Sequence, residues 1–316
     1  MQLELKNITT GYDGRPIIKD LSLTIPEGKV TALIGANGCG KSTLLKTICR
    51  IIEPMSGQVL LDGQDMHAMN SRELAKKVAI LPQNPSAPGA LTVRDLVMYG
   101  RAPHKGSLFS RSTKKDHEMV EWALAETDLL EYADRGIENM SGGQRQRAWI
   151  AMAIAQDTDI LFLDEPTSFL DVAHQMDVLH MVEQLNKKYG KTIVMVIHEL
   201  NEAARFADYL VAMRTGEILY QGTPHDVFHN DMLKDVFGID ATIMNDPRTN
   251  RPFCIPYSLK VTGDYNKPNL GDANLNQDGG QANLEGIQSS SEENESGSEG
   301  SKSSPMGDIL QGGHHG

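Results

Sequence analysis

Val30-Thr-Ala-Leu-Ile34 runs directly into Gly35-Ala-Asn-Gly-Cys-Gly-Lys41-Ser42-Thr43. The first five residues are nearly continuous in apolar character, the pattern of a strand buried on both faces. The next stretch matches the phosphate-binding loop pattern, two glycines framing four residues and then Lys and Ser. Its glycines let successive backbone N–H groups wrap the β- and γ-phosphates of a nucleotide. The helix predicted over Ser42 to Arg50 adds the positive end of its dipole. Lys41 is expected to reach the β/γ oxygens and Ser42 to ligate Mg²⁺. The candidate nucleotide-binding residues here are Gly35, Ala36, Asn37, Gly38, Cys39, Gly40, Lys41, Ser42 and Thr43.

Three further apolar runs read as buried parallel strands: Val78-Ala-Ile-Leu81, Ile160-Leu-Phe-Leu163 and Ile193-Val-Met-Val-Ile197. They lead into Gln83, Asp164 and His198, as the first leads into Gly35. Ligands of open α/β sheets bind beyond the carboxyl ends of the strands, so these four positions are expected on one edge. Asp164 at a strand end can hold Mg²⁺ through water. Glu165 beside it is placed to polarise an attacking water as general base.

Between about residues 88 and 156 the pattern changes to helical spacing. Asp116 to Leu130 places Met119, Trp122, Ala123 and Glu126 three or four apart, and Arg145 to Gln156 carries a run of alanines. This stretch is read as a mostly helical insertion into an α/β core. Met140-Ser141-Gly142-Gly143-Gln144 stands just before its last helix. Ser141 there is an N-cap, and the hydroxyl with the glycine N–H groups also makes a second anion site. One phosphate loop already serves one nucleotide, so a second anion-binding turn invites a partner chain.

Composition bounds the rest. The chain has 316 residues, enough for about two folding units. Thirty basic residues face 42 acidic ones, a net charge of −12, which argues against a nucleic-acid partner. No apolar run reaches the roughly 18 residues of a membrane span. Met1 to Thr10 alternates polar and apolar residues and lacks the apolar core of a secretory signal. Three cysteines, Cys39, Cys49 and Cys254, do not make a disulfide framework. Cys39 lies near a helix N-terminus and Lys41, surroundings that favour a reactive thiolate. Its alkylation is expected to block nucleotide binding.

Taken in order, these motifs resemble an ATP-binding-cassette (ABC) ATPase subunit of a bacterial importer, over residues ~2 to 256. The resemblance implies a P-loop NTPase core of RecA-like α/β fold, with a helical signature subdomain and a small N-terminal antiparallel β region. It implies that Tyr12 stacks on adenine and that Gln83 senses Mg²⁺, the attacking water and the permease. It implies that His198 contacts the γ-phosphate. Ser168-Phe-Leu170-Asp171 resembles the loop that crosses to a second copy. In the family, each ATP lies between the phosphate loop of one chain and the equivalent of Ser141, Gly142, Gly143 and Gln144, with Asp171, in the other. The implied assembly is a homodimer of ATPase subunits on an integral membrane permease, peripheral on the cytoplasmic face, with an extracytoplasmic substrate-binding protein. Two departures stand out: Met140 where Leu is usual, and Glu199 after His198 where Asp is usual.

Met98-Tyr-Gly-Arg-Ala-Pro-His104, Gln144-Arg-Gln-Arg-Ala-Trp-Ile-Ala-Met152 and Thr167-Ser-Phe-Leu-Asp-Val-Ala-His-Gln175 resemble ferric-siderophore importers, with haem and cobalamin importers as close alternatives. A non-transport cassette of repair or ribosome association fits less well. The first kind is split by long coiled coils, and the second carries two cassettes. From residue 257 to 316 the chain is rich in Ser, Gly, Asn and acidic residues, as in Ser289-Ser-Ser-Glu-Glu-Asn-Glu-Ser-Gly-Ser-Glu299. Such a segment buries too little apolar surface to offset its ordering entropy, so it is expected to be a disordered tail.

Overall fold

A computed structural model describes residues 1–87, 89–105 and 111–258. The expected disordered tail lies, from residue 259 on, outside the described residues.

Among these residues the centre is a six-stranded sheet. Its strands are β3 (Val30–Gly35), β6 (Val78–Leu81), β7 (Ile160–Asp164), β8 (Thr192–Val196), β9 (Tyr209–Arg214) and β10 (Glu217–Gly222), in the order β10-β9-β3-β8-β7-β6. All neighbours pair in parallel except β9 with β10. The four strands read from sequence are therefore four adjacent parallel strands. β9 and β10 were not anticipated, although Tyr209-Leu-Val-Ala-Met213 carries the same apolar texture.

The texture has a simple cause. Val30, Ala32, Ile34, Leu161, Leu163, Ile193 and Met195 pack into one apolar cluster, while Leu33, Ile160, Phe162, Val194 and Val196 pack into another. Successive side chains of a strand point to opposite faces. With both faces covered, nearly every position is apolar, Thr31, Thr192 and the strand-end Asp164 being the buried exceptions, and alternation disappears.

The second cluster is closed by a four-stranded antiparallel sheet of β1 (Leu3–Tyr12), β2 (Arg15–Ile25), β4 (Ser56–Leu61) and β5 (Gln64–Asp65), ordered β2-β1-β4-β5. Here alternation is visible: Leu21, Leu23 and Ile25 of β2 are buried and Ser22 and Thr24 are exposed. A hairpin of β11 (Ile239–Asn245) and β12 (Pro252–Ser258) ends the described chain. Asn201 ties it to α7 (Leu200–Phe206), its amide donating to the Cys254 carbonyl at 3.1 Å and its carbonyl accepting from Cys254 N–H at 2.8 Å.

The helices are α1 (Lys41–Ile48), α2 (Ser71–Ala75), α3 (Val93–Tyr99), α4 (Lys114–Glu126), α5 (Gly142–Ala155), α6 (Val172–Tyr189) and α7. Helices α3 to α5 form the insertion. The helix expected to reach Leu130 stops at Glu126: Thr127 Oγ1 donates back to the Ala123 and Leu124 carbonyls, and Asp128 turns to φ +53°. The one expected at Arg145 begins at Gly142, because Ser141 caps it there. Arg101 lies between the ends of α3 and α4 and donates from Nη1 to the Ala155 carbonyl of α5 at 2.7 Å. Gln156 fastens this insertion to the core by donating to the carbonyls of Ala75 and Val78. No helix among the described residues is long and apolar enough to cross a membrane.

Candidate functional site

The carboxyl ends of β3, β8, β7 and β6 meet along one edge, and the four expected positions lie there. Gln83 and His198 line a cleft of about 590 Å³ there, while Gly35 and Asp164 are buried and do not line it. One wall is the loop and helix start carrying Asn37, Gly38, Gly40, Lys41, Ser42 and Thr43; the other carries Gln83, Glu165 and His198. Ile17 of β2 completes the lining and was not foreseen.

The loop can take no bulk at its origin. Gly35 has φ +150°, and a Cβ there would sit 2.3 Å from the Met213 carbonyl oxygen. Gly40, the N-cap of α1, adopts φ +107°, a conformation open to a residue without Cβ. Lys41 is 5% exposed and folds back over the loop, donating to the carbonyls of Gly35 at 2.7 Å and Ala36 at 3.2 Å. Cys39 is 5% exposed as well and belongs to the core beneath the loop. The burial restricts access of reagents to the thiol, and its small volume fits the space behind the loop.

At the mouth of β7 two adjacent carboxylates have opposite surroundings. Asp164 is buried and accepts from Ser42 Oγ at 3.2 Å. Burial pushes its carboxyl above the usual range, and the Glu165 charge adds to this, against the opposing Ser42 hydrogen bond. Glu165 takes φ +52° and turns into the cleft. Its Oε1 meets His198 Nε2 at 2.5 Å, and its Oε2 accepts from Gln83 Nε2 at 2.5 Å and Ser168 Oγ at 2.9 Å. Burial would raise its pKa, but the bonds from His198, Ser168 and Gln83 outweigh it and hold the carboxyl below its ordinary value. Glu165 is thus an ionised acceptor at neutral pH, the state a general base requires.

The other expected residues are elsewhere. Ser141 caps α5 by a reciprocal box, its Oγ accepting from Gln144 N–H at 3.2 Å and its own N–H donating to Gln144 Oε1 at 3.1 Å. Ser141 and Gly142 are exposed, and none of residues 141–144 lines the cleft. Asp171 caps α6, accepting from His174 N–H at 2.9 Å and meeting its Nδ1 at 2.7 Å. Between Glu165 and Asp171, Phe169 is 90% exposed at φ +65°. Tyr12 stands 45% exposed at the end of β1, opposite Arg15, and is not in the cleft lining. Ser168 was legible only as part of a crossing loop; its bond to Glu165 carried no local signal.

A glycine-cradled loop running into a helix, at the edge of a parallel sheet with Asp164 at the end of β7 and Glu165 just beyond it, defines a P-loop ATPase cassette. The family model for ABC transporters matches residues 18–168. The chain is 52% identical over 257 residues to the iron(3+)-hydroxamate import ATP-binding protein FhuC of Bacillus subtilis (strain 168), covering 81% of this chain and 95% of that one. It is 48% identical over 255 residues to the petrobactin import ATP-binding protein FpuD of Bacillus anthracis, covering 81% and 93%. The dimeric structure of a bacterial ABC transporter cassette superposes with a TM-score of 0.62 at 28% identity, covering 70% of this chain and 98% of that one. The chain belongs to the ABC transporter family and is an ATP-hydrolysing subunit of it.

Proposed function

We propose that this subunit couples ATP binding and hydrolysis to the import of ferric siderophores, acting as a pair of identical chains on a membrane permease at the cytoplasmic face. A substrate-binding protein outside the membrane would deliver the cargo. The observation that carries the paired mechanism is the separation of Ser141–Gln144 from the cleft. One chain offers the loop, Glu165 and His198 to a nucleotide but leaves its second anion-binding turn exposed. A second copy facing it head to tail would complete each site with that turn and with Asp171. The siderophore cargo rests on the two importer subunits that the chain matches over most of their length.

In this reading, the N–H groups of Asn37 to Thr43 and the Lys41 ammonium hold the β- and γ-phosphates. Tyr12 would reach adenine at the outer end of the site. Ser42 and Asp164 suit Mg²⁺: a hydroxyl and a carboxylate oxygen converge at 3.2 Å, hard donors few enough to leave room for waters and phosphate oxygens. The Gln83 carbonyl oxygen is the third candidate donor. When bound, the ion would neutralise charge developing on the phosphate oxygens. Glu165 accepts the proton of the attacking water, and His198 donates to the γ-phosphate. Departure of the cleaved phosphate removes the contacts that close the pair, so the nucleotide biases a two-state assembly. The α3–α5 insertion and the Gln83 segment pass the motion to the permease.

The test is uptake of radio-iron siderophores by cells carrying the wild-type chain or Glu165→Gln, with labelled haem and cobalamin alongside. Loss of iron uptake in the variant is expected. Loss of haem or cobalamin uptake with iron uptake intact would move the cargo and leave the ATPase mechanism standing.

A further inference from the structure

Glu165 accepts hydrogen bonds from three segments, and they are not equivalent. Gln83 and His198 reach it from beyond the ends of β6 and β8, the strands on either side of β7, along the same wall of the cleft. Ser168 reaches it from its own turn: Ser168 N–H donates to the Glu165 carbonyl at 3.2 Å while Ser168 Oγ donates to Oε2 at 2.9 Å. The first two donors also face the cleft and have other work once a nucleotide enters, Gln83 toward the ion and His198 toward phosphate. Ser168 is half-buried and does not line the cleft, so a nucleotide does not compete for it. It is also the donor whose position the turn itself sets, and the turn carries a non-glycine residue in the left-handed region at each of Glu165 and Phe169. Such backbone persists where surrounding bonds hold it.

We propose that the Ser168 hydroxyl is a positioning group for hydrolysis: it holds the Glu165 carboxylate on its attacking line when Gln83 and His198 turn to the nucleotide. This rests on the reading of Glu165 as general base.

The experiment is a double-mutant cycle on the full-length chain, with steady-state ATPase activity and nucleotide affinity measured separately. Ser168→Ala is expected to lower kcat about ten-fold, the size of a lost hydrogen bond to a charged group, with KM and ATP affinity unchanged. Ser168→Thr, which keeps the hydroxyl, is expected to recover most of that loss. In the Glu165→Gln background, Ser168→Ala is expected to add nothing, because its effect passes through the carboxylate. A kcat within two-fold of wild type for Ser168→Ala overturns the proposal. So does an equal further loss in the Glu165→Gln background, or a loss that appears in ATP affinity rather than kcat. Wild-type turnover by Glu165→Gln alone would instead remove the general base, a separate failure that the same cycle reveals.

Discussion

Arg101 Nε donates to Asp116 Oδ1 at 3.0 Å, and the two side chains are 2% and 4% exposed. Two buried charges of the helical insertion, one just after α3 and one in α4, are thus matched to each other and further satisfied. Arg101 also donates to the Ala155 carbonyl, and Asp116 Oδ2 accepts from Thr113 N–H at 2.8 Å and Thr113 Oγ1 at 2.7 Å. The pair ties α4 to the end of α3 and, through Ala155, to α5.

Removing one partner leaves the other buried and unpaired. Arg101→Ala is expected to lower unfolding free energy by about 3–5 kcal/mol. Replacing both groups with apolar side chains of similar volume, Arg101→Met with Asp116→Leu, should cost less than the two single changes together. Urea denaturation of the four proteins checks this. Equal stability of Arg101→Ala and wild type would contradict the ion-pair reading.

The same pair sets an acid sensitivity. Burial would raise the Asp116 carboxyl, but its Thr113 bonds and the Arg101 charge bring it down to about 2. The folded value lies below the unfolded one of about 3.9. The pair's contribution is therefore full above about pH 4 and is lost as pH falls toward 2. The shift corresponds to about 2 kcal/mol. Urea midpoints between pH 5 and 2 should fall more steeply for wild type than for Asp116→Asn, since the other carboxylates titrate in both.

Glu165→Gln keeps the shape of the carboxylate but gives up its proton-accepting charge. It is expected to bind ATP, hydrolyse it at least a hundred-fold more slowly, on the order of a general base's contribution, and accumulate as a pair of chains. Lys41→Ala should instead lose nucleotide binding. Size-exclusion chromatography with ATP, alongside phosphate release, separates the two outcomes.

Gly35→Ala tests the loop's origin. The added Cβ would meet the Met213 backbone oxygen at 2.3 Å, and backbone cannot step aside as a side-chain tip can. The expected result is weaker nucleotide binding together with a lower melting temperature. Unchanged values for both would show that the loop has slack that this geometry denies.

Cys39 should be slow to alkylate in the native chain. Mass-resolved labelling at neutral pH is expected to leave Cys39 unmodified while the urea-unfolded chain labels at all three cysteines. Rapid native labelling at Cys39 would return it to the status of an open active-site thiol.

Much of this was legible in sequence, and the reasons are local. The loop from Gly35 to Ser42 could be recognised because its glycines and Lys41 answer to backbone and charge requirements met within eight residues. The strands β3, β6, β7 and β8 could be recognised because two covered faces leave no room for polar alternation. The helix that ended at Glu126 rather than Leu130 was misjudged by period alone. Its stop depends on a Thr127 hydroxyl turning back and on Asp128 accepting a positive φ. β9 has the same apolar texture, but the Thr215-Gly216 turn that follows it carries no chemical motif.

The sequence by itself determined the phosphate loop, the parallel core and the order of the nucleotide-facing segments, since each is written within a few consecutive residues. Tertiary structure decided which groups touch. Gln83 and Glu165 are 82 residues apart, and Arg101 and Ala155 are 54 apart, yet each pair is joined by a hydrogen bond. It also decided that Cys39 is core rather than reagent-facing, and that Ser141–Gln144 lie off the cleft. Side-chain distance, burial and the direction of a pKa shift are properties of packed neighbours, and neighbours remote in the chain are chosen by the fold rather than by any local pattern.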